Sequence, residues 1–221
     1  MIGAADAGSA ARVVDVSPER LEGWLARFGD VHGAGLVRPL GDDIVVDFPD
    51  GASVRLVDRW GDGAARDLPG WLAGQRRERQ VAILLVRRAA HAVGLAVGAE
   101  LTLHHVETHY VQGRTKAGGW SQQRYARRRD NQADHAFAAA ADDAVRLLVP
   151  MAGRIDALVC GGDARAVEAV LSDRRLAPLV ARRSGHPVLP VPDPRLAVLR
   201  DVATRARKVA VRITDPPPRP Q

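Results

Sequence analysis

The sequence predicts an α/β fold with two domains: a small N-terminal α+β domain, and a larger domain with a mixed β-sheet and a long basic helix that follows a glycine-rich loop. Apolar runs of strand length alternate with helical periodicities after residue 80, which is typical of α/β proteins. A stretch rich in Gly, Asp and Arg at residues 58–80 separates this region from a preceding helix and hairpin. With 221 residues and 46% hydrophobic content, the chain can bury a sizeable core.

The ordered part of the N-terminal domain is expected to begin near Val13. Residues 1–12 are small and show no periodicity, which predicts a flexible leader. Ser17 followed by Pro18 is typical of a helix start, and apolar residues then recur at helical spacing as far as Gly29. The domain therefore opens with a short amphipathic helix.

A β-hairpin is predicted after this helix. Residues 44–48 and 52–57 have the composition of strands, and the Pro, Asp and Gly between them suit a tight turn. Residues 58–80 have no sustained apolar face, so we place the domain boundary there. The first domain then spans residues 13–75 and the second spans residues 76–213.

The second domain is expected to open with three strands. Residues 81–86 form a continuous apolar run, as in a strand buried on both faces. Strands at residues 90–97 and 100–112 follow after short connections, which predicts an antiparallel meander. An apolar stripe from residue 121 to 149 then predicts a helix of roughly 40 Å that ends before Pro150.

The rest of the chain continues the α/β alternation. The predicted elements are a buried strand at residues 155–160, a helix at 164–172, a short strand at 187–191 and a last helix from about residue 193, with residues 214–221 as a disordered tail. Asp163 is placed to cap the helix that follows it, because its carboxylate can accept a backbone N–H.

Charge and composition indicate a polyanionic partner. The net charge is +6, and most of the positive residues are Arg, whose planar guanidinium pairs with phosphate and stacks on bases. Coding sequence rich in G and C would also favour Arg, so the position of the charge must identify the partner. No apolar run approaches the roughly 18 residues of a membrane span, and no signal peptide or nucleotide phosphate-binding motif is present. We expect a cytoplasmic, RNA-binding monomer that needs no cofactor and no membrane.

Glycine and positive charge concentrate in residues 113–132, GRTKAGGWSQQRYARRRDNQ. Gly113, Gly118 and Gly119 allow backbone conformations that would suit a narrow RNA channel, and Arg114 and Lys116 add charge to the same loop.

Four arginines follow in the predicted helix: Arg124, Arg127, Arg128 and Arg129. Arg124 and Arg128 are four residues apart and share a face, where phosphate would relieve their repulsion. An ordinary loop followed by a solvated basic helix would carry the same charge.

The residue sequence of this segment indicates a function more specifically than its charge does. Residues 118–129, GGWSQQRYARRR, resemble the catalytic loop and following helix in the central domain of eukaryotic and archaeal class I release factors. That pattern is Gly-Gly-Gln, Ser, two residues, Arg, an aromatic residue, Ala and Arg. The positions that match without a gap are Gly118, Gly119, Ser121, Arg124, Tyr125, Ala126 and Arg127. The resemblance covers about residues 81–176.

One departure refines the resemblance. Trp120 stands where those release factors have their catalytic Gln, whereas Gln122 lies three residues after Gly119. This Gly-x-x-Gln spacing is similar to that of the Vms-type release-factor-like family, which acts on stalled peptidyl-tRNA held by large ribosomal subunits. The resemblance implies a ribosome-rescue peptidyl-tRNA hydrolase, with rRNA, peptidyl-tRNA and the large subunit as partners. No stop-codon-reading domain is evident, which favours rescue over termination.

The resemblance also implies residue roles. Gly118, Gly119 and Gln122 would form the catalytic loop. The residues implied in RNA binding are Arg114, Lys116, Trp120, Ser121, Gln123, Arg124, Arg127, Arg128 and Arg129. A Gln amide does not titrate near neutrality, so Gln122 would position water and stabilise charge while RNA groups transfer protons. Gln123 is the rival candidate.

Two other functions remain open. Eukaryotic relatives with a similar loop are associated with endonuclease chemistry at the tRNA acceptor end, and the basic helix would also suit a noncatalytic rRNA-binding or assembly protein.

One further set of residues suggests metal chemistry. His105, Glu107 and His109 alternate on one strand face and could bind a metal. A strand edge beside an RNA-binding loop explains these histidines equally well, so no metal is predicted. Cys160, the lone cysteine, ends an apolar run and is expected to be a core residue.

Overall fold

The computed structural model describes the backbone of residues 12–61, 67–87, 90–108 and 121–217, and it describes side chains in these ranges except at residues 121–133. The chain divides into two compact units. One comprises Met1–Arg77 with Arg207–Gln221, and the other comprises Glu78–Ala206. Mixed helices and strands confirm the predicted α/β class.

The first unit is built on a five-stranded antiparallel sheet. In spatial order its strands are β1 (Arg12–Val16), β9 (Val209–Thr214), β4 (Ser53–Val57), β3 (Asp43–Asp47) and β2 (Leu36–Leu40). Strands β3 and β4 confirm the predicted hairpin, with Val46 opposite Val54. The predicted first helix is also present as α1 (Leu21–His32), and its Leu21 is buried in the apolar core of this unit.

Residues 58–80 contain a helix that the sequence analysis did not predict. This helix, α2 (Leu68–Arg76), is capped by Asp67, whose Oδ1 accepts the N–H of Gly70 at 2.8 Å. Trp71 is buried, and its Nε1 donates to the carbonyl oxygen of Asp42 at 2.9 Å. A nine-residue helix buries little more than one turn, so its apolar stripe is too short to stand out among Gly and Arg.

The end of the chain belongs to the first unit, whereas the sequence analysis assigned residues 76–213 to the second domain. Strand β9 lies between β1 and β4, and Val211 is opposite both Val14 and Leu56. Because these partners are distant in sequence, no local pattern indicates the pairing. Of the predicted leader only Arg12 is described, and it begins β1. Of the predicted tail, residues 214–217 are described, and Thr214 ends β9.

The second unit is built on a four-stranded mixed sheet. In spatial order its strands are β7 (Glu100–Thr108), β6 (Ala90–Val97), β5 (Gln80–Arg87) and β8 (Ala157–Gly162). The predicted meander is confirmed, since β5 to β7 pair antiparallel. Strand β8 pairs parallel to β5, and residues 81–86 of β5 are all buried, as expected for a central strand.

Helices cover both faces of this sheet. They are α3 (Ser121–Leu148), α4 (Ala164–Leu171), α5 (Ala177–Val180) and α6 (Leu196–Ala206). Helices α3 and α4 share a core with Leu84 and Val93. On the other face α6 approaches closely at Gly94, where a Cβ atom would lie 2.9 Å from the Leu199 side chain.

In this unit the predicted helix cap is present, and the predicted strand at residues 187–191 is reduced. Asp163 caps α4 as predicted, since its Oδ1 accepts the N–H of Arg165 at 2.9 Å. The strand predicted at residues 187–191 is reduced to a single bridge between Leu189 and Gly161. Among the described residues, no helix is long and apolar enough to cross a membrane.

Candidate functional site

The glycine-rich segment implicated by the sequence lies between β7 and α3 in the chain. Strand β7 ends at Thr108 and α3 begins at Ser121. The loop residues named above, Gly113, Arg114, Lys116, Gly118, Gly119 and Trp120, lie outside the described residues, as does His109. The structure therefore places the two ends of the loop segment and the helix that follows it.

Gln122 and Ser121 lie in the first turn of α3. The first four N–H groups of an α-helix have no acceptor within the helix, and the helix dipole places partial positive charge at the same end. Gln122 therefore belongs to a turn whose backbone can donate hydrogen bonds to an anion or to developing negative charge.

Helical phase assigns positions in the first turns of α3 to its sides. Eighteen residues correspond to about five turns at 3.6 residues per turn. Gln122 and Gln123 thus lie in phase with Ala140 and Ala141, both of which are buried. The two candidate glutamines share the stripe that, farther along the helix, packs on the sheet.

Two of the basic positions, Arg124 and Arg128, differ in helical phase from the two glutamines. Arg124 and Arg128 lie in phase with Asp142 and Arg146, which are exposed. Arg127 and Arg129 lie in phase with half-buried residues. That Arg124 and Arg128 share a phosphate-binding face of α3 stays a prediction.

A second group of polar residues surrounds Asp143 of α3. We call His91, His105, Glu107 and Asp143 the His–carboxylate cluster. His91 Nε2 lies 2.9 Å from Asp143 Oδ2 and 4.0 Å from Glu107 Oε2. His105 Nε2 lies 3.2 Å from the same Asp143 oxygen and 3.8 Å from Glu107 Oε2. Strand register causes part of this arrangement, because His91 on β6 is directly opposite Glu107 on β7.

The environment of Asp143 keeps it ionised. Burial alone would raise the pKa of its carboxyl group, but hydrogen bonds from Arg146 and His91 and the charge of His105 outweigh burial and hold the pKa below its ordinary value. Arg146 Nη2 lies 2.5 Å from Asp143 Oδ1, so the two carboxylate oxygens have different partners. Asp143 therefore links both imidazole rings to the helix.

The sequence analysis found only half of this cluster. It identified His105 and Glu107 from their alternation on one strand face, and the structure brings both together. His91 and Asp143 were missed, since they are 52 residues apart and meet only when α3 packs on β6. A buried histidine beside a buried carboxylate is a tertiary feature, and no spacing in the sequence indicates it.

Cys160 is a core residue, as predicted. It lies in β8 with 5% of its surface exposed, and burial raises the pKa of its thiol to about 12. The thiolate needed for nucleophilic catalysis is therefore suppressed at neutral pH.

The α/β domain and the sequence of its loop and basic helix together define a release-factor-like protein. The sequence model of the family described as "Actinobacteria/chloroflexi VLRF1 release factor" matches residues 79–212, which is more than half of the chain. The chain belongs to this release-factor family, and the release-factor-like resemblance is confirmed.

Two further proteins are similar to parts of the chain. Peptide chain release factor subunit 1 of Aeropyrum pernix is 33% identical over 107 residues, which cover 46% of this chain and 29% of that protein. The chain thus spans less than a third of that relative. A solved structure described as "Archaeal protein" aligns with a TM-score of 0.40 and 16% identity, covering 71% of this chain and 48% of the other.

Proposed function

We propose that this protein is a cytoplasmic ribosome-rescue peptidyl-tRNA hydrolase that releases nascent peptide from tRNA on stalled large ribosomal subunits. The observation that supports it most is the family match over residues 79–212, which contains the loop and helix with Gly118, Gly119 and Gln122. In this proposal the protein acts as a monomer and needs no cofactor for the reaction.

The proposed reaction is hydrolysis of the ester between peptide and tRNA. Water attacks the ester carbonyl, and the bond between that carbon and the ribose oxygen breaks. The hydroxyl group of water stays on the peptide, and its remaining proton passes through RNA groups to the ribose oxygen. Gln122 orients the water by hydrogen bonding, because its amide has no basic atom that would accept a proton near neutrality.

The start of α3 supports this role for Gln122. Backbone N–H groups in the first turn are available to stabilise negative charge on the carbonyl oxygen, as preorganised donors do in other acyl-transfer enzymes. Gly118 and Gly119 would let the backbone approach the ester closely, since they carry no side chain.

Binding is assigned to the basic residues around the loop. Arg124 and Arg128, four residues apart in α3, would contact phosphates of rRNA or of the tRNA acceptor end. The other proposed RNA contacts are Arg114, Lys116, Trp120, Ser121, Gln123, Arg127 and Arg129. Trp120 would stack on a base, because an aromatic ring offers a face to any nucleotide.

A product analysis tests the proposal. Purified large subunits that carry peptidyl-tRNA, labelled on both the peptide and the tRNA, are incubated with the full chain. Free peptide and intact deacylated tRNA are expected. A shortened tRNA, with nucleotides left on the peptide, would identify an endonuclease instead. Saturable binding without either product would identify a noncatalytic rRNA-binding protein.

A further inference from the structure

We infer that the His–carboxylate cluster is a binding site for a divalent transition metal, with zinc as the representative ion. His91, Glu107 and Asp143 would be the first three ligands, and His105 would complete the set. The inference does not rest on the proposed function, since it uses only contacts within the sheet and α3.

The spacing of the donor atoms is close to that of a zinc site. One atom from each of His91, Glu107 and Asp143 lies within 4.8 Å of the other two. Zinc bonds to nitrogen and oxygen are about 2.0–2.2 Å, so the donor atoms of a tetrahedral site are about 3.4 Å apart. The separations of 2.9 Å and 4.0 Å around His91 Nε2 lie on either side of that value. To match that value, the His91–Asp143 separation would widen and the His91–Glu107 separation would shorten, each by about half an ångström.

The cluster is also held in position for binding. The His91 side chain is 1% exposed and the Asp143 side chain 12%, so burial restricts both, and strand pairing also fixes the backbone of His91. Arg146 occupies Asp143 Oδ1 and leaves Oδ2 facing the two imidazole rings, as outer-shell partners do for metal-binding carboxylates. His105 is 38% exposed, which leaves room for its ring to turn towards the ion.

The donor types select the class of metal. Imidazole nitrogens combined with carboxylate oxygens suit zinc and neighbouring transition metals, whereas calcium and magnesium prefer oxygen ligands alone. The two carboxylates of Glu107 and Asp143 would compensate the charge of a divalent ion.

The location indicates an anchoring role rather than a catalytic one. The ligands come from β6, β7 and α3, and the last two of these elements flank the loop segment at residues 109–120. Gln122 lies 21 residues before Asp143 in α3, which is about 32 Å along the helix axis. A metal here would fix the C-terminal part of α3 to the sheet, far from the proposed site of ester hydrolysis.

Metal binding by the full chain tests this inference. The protein is stripped with a chelator, and Zn²⁺ is added during calorimetric titration, with the bound metal counted by mass spectrometry. We expect one zinc ion per chain and a higher melting temperature with zinc, because an ion that binds only the folded state stabilises it. Co²⁺ should give the visible absorption of a tetrahedral site.

Matched variants separate the cluster from surface binding. Glu107→Gln removes one ligand from a partly exposed position, and Glu100→Gln changes an exposed carboxylate on the same strand. We expect Glu107→Gln to weaken zinc binding by about a hundredfold or more, since even outer-shell changes cost about 10- to 100-fold. Glu100→Gln should bind zinc as the wild type does. On α3, Asp143→Asn and Asp142→Asn form a second pair with the same expected contrast.

Several outcomes would overturn the inference. Absence of stoichiometric zinc would show that the cluster is a hydrogen-bonded network only. Equal affinities of Glu107→Gln and Glu100→Gln would assign the zinc to exposed histidines. Effective competition by Mg²⁺ or Ca²⁺ would contradict the mixed donor set. Glu107 is 43% exposed, so its variant is expected to fold even if Asp143→Asn does not.

Discussion

The two halves of α3 differ in composition. Residues 134–148 bury Ala140, Ala141, Ala144 and Leu148 in the core of the second unit. Residues 121–133 contain four Arg and one Asp, whereas residues 134–148 contain one Arg and three Asp. One half is suited to packing and the other to a polyanionic partner, although both belong to one continuous helix.

This contrast shows that one continuous helix can combine a segment suited to packing with a segment suited to binding. Alanines on the packed half allow the helix axis to approach the sheet closely, and Gln122 lies in the first turn of the same helix. A change in the first half should therefore affect reaction or binding without affecting stability. A change in the second half should do the reverse.

The largest effect is expected for Gln122→Ala. Loss of one preorganised hydrogen-bonding group in acyl transfer typically lowers the rate by about a hundred- to a thousandfold, so peptide release should fall by that factor. The melting temperature and the affinity for large subunits should not change. Single-turnover release at saturating protein, together with thermal unfolding, measures both.

Gln123→Ala is the matched control for this variant, and it should reduce release far less. If the two variants have reversed effects, Gln123 is the reacting glutamine and the Gly-x-x-Gln assignment is wrong. Trp120→Gln in the Gln122→Ala background tests whether the Gly-Gly-Gln sequence of the release factors restores peptide release.

A smaller effect, on stability alone, is expected for Ala140→Leu in the packed half. Ala140 is fully buried, so three added carbons would overfill the interface with the sheet and cost about 1–3 kcal/mol of unfolding free energy. Ala138→Leu, at an exposed position two residues earlier, should change stability by less than about 0.5 kcal/mol. Urea unfolding followed by circular dichroism distinguishes them, and equal stabilities would contradict the described helix phase.

The binding half should respond to salt. Replacement of Arg124 and Arg128 by Ala should flatten the dependence of log affinity on log salt by about one unit for each phosphate contact that is lost. Arg200→Ala removes an exposed charge from α6 and should leave the slope unchanged. Large-subunit binding is measured across a salt series. An unchanged slope in the double variant would exclude Arg124 and Arg128 from the interface.

Local patterns predicted much of the second unit. Its signals are local: neighbouring residues form the apolar run of β5, the cap at Asp163 and the apolar stripe of α3. Each of these features is present in the structure. The first unit was harder to predict, because β9 pairs with β1 and β4, which lie near the other end of the chain. Helix α2 was missed because its buried positions, Trp71, Leu72 and Gln75, span little more than one turn.

The two candidate sites differ in the same way. The loop and basic helix are contiguous in sequence, so a resemblance could identify them. The His–carboxylate cluster combines β6, β7 and α3, and only tertiary packing brings His91 to Asp143. Spacing rules find ligands that share one element, as with His105 and Glu107, and miss those that a fold assembles.

The smallest effect is expected for Asp142→Asn, next to the cluster. Asp142 is 64% exposed and pairs with Arg175 at 2.7 Å, and exposed pairs often contribute nothing measurable. Arg175 would keep its 2.6 Å contact with Asp173, whose pKa its hydrogen bonds lower to about 2. Because the pKa of Asp173 is lower in the folded state, its ionised carboxylate stabilises the fold at pH values above the ordinary pKa of 3.8. That stabilisation is lost as pH falls towards 2, and wild type and variant should share this acid sensitivity. Parallel urea midpoints from pH 7 to pH 3 are expected. A variant that unfolds earlier throughout this range would show that Asp142, as well as Asp143, anchors α3.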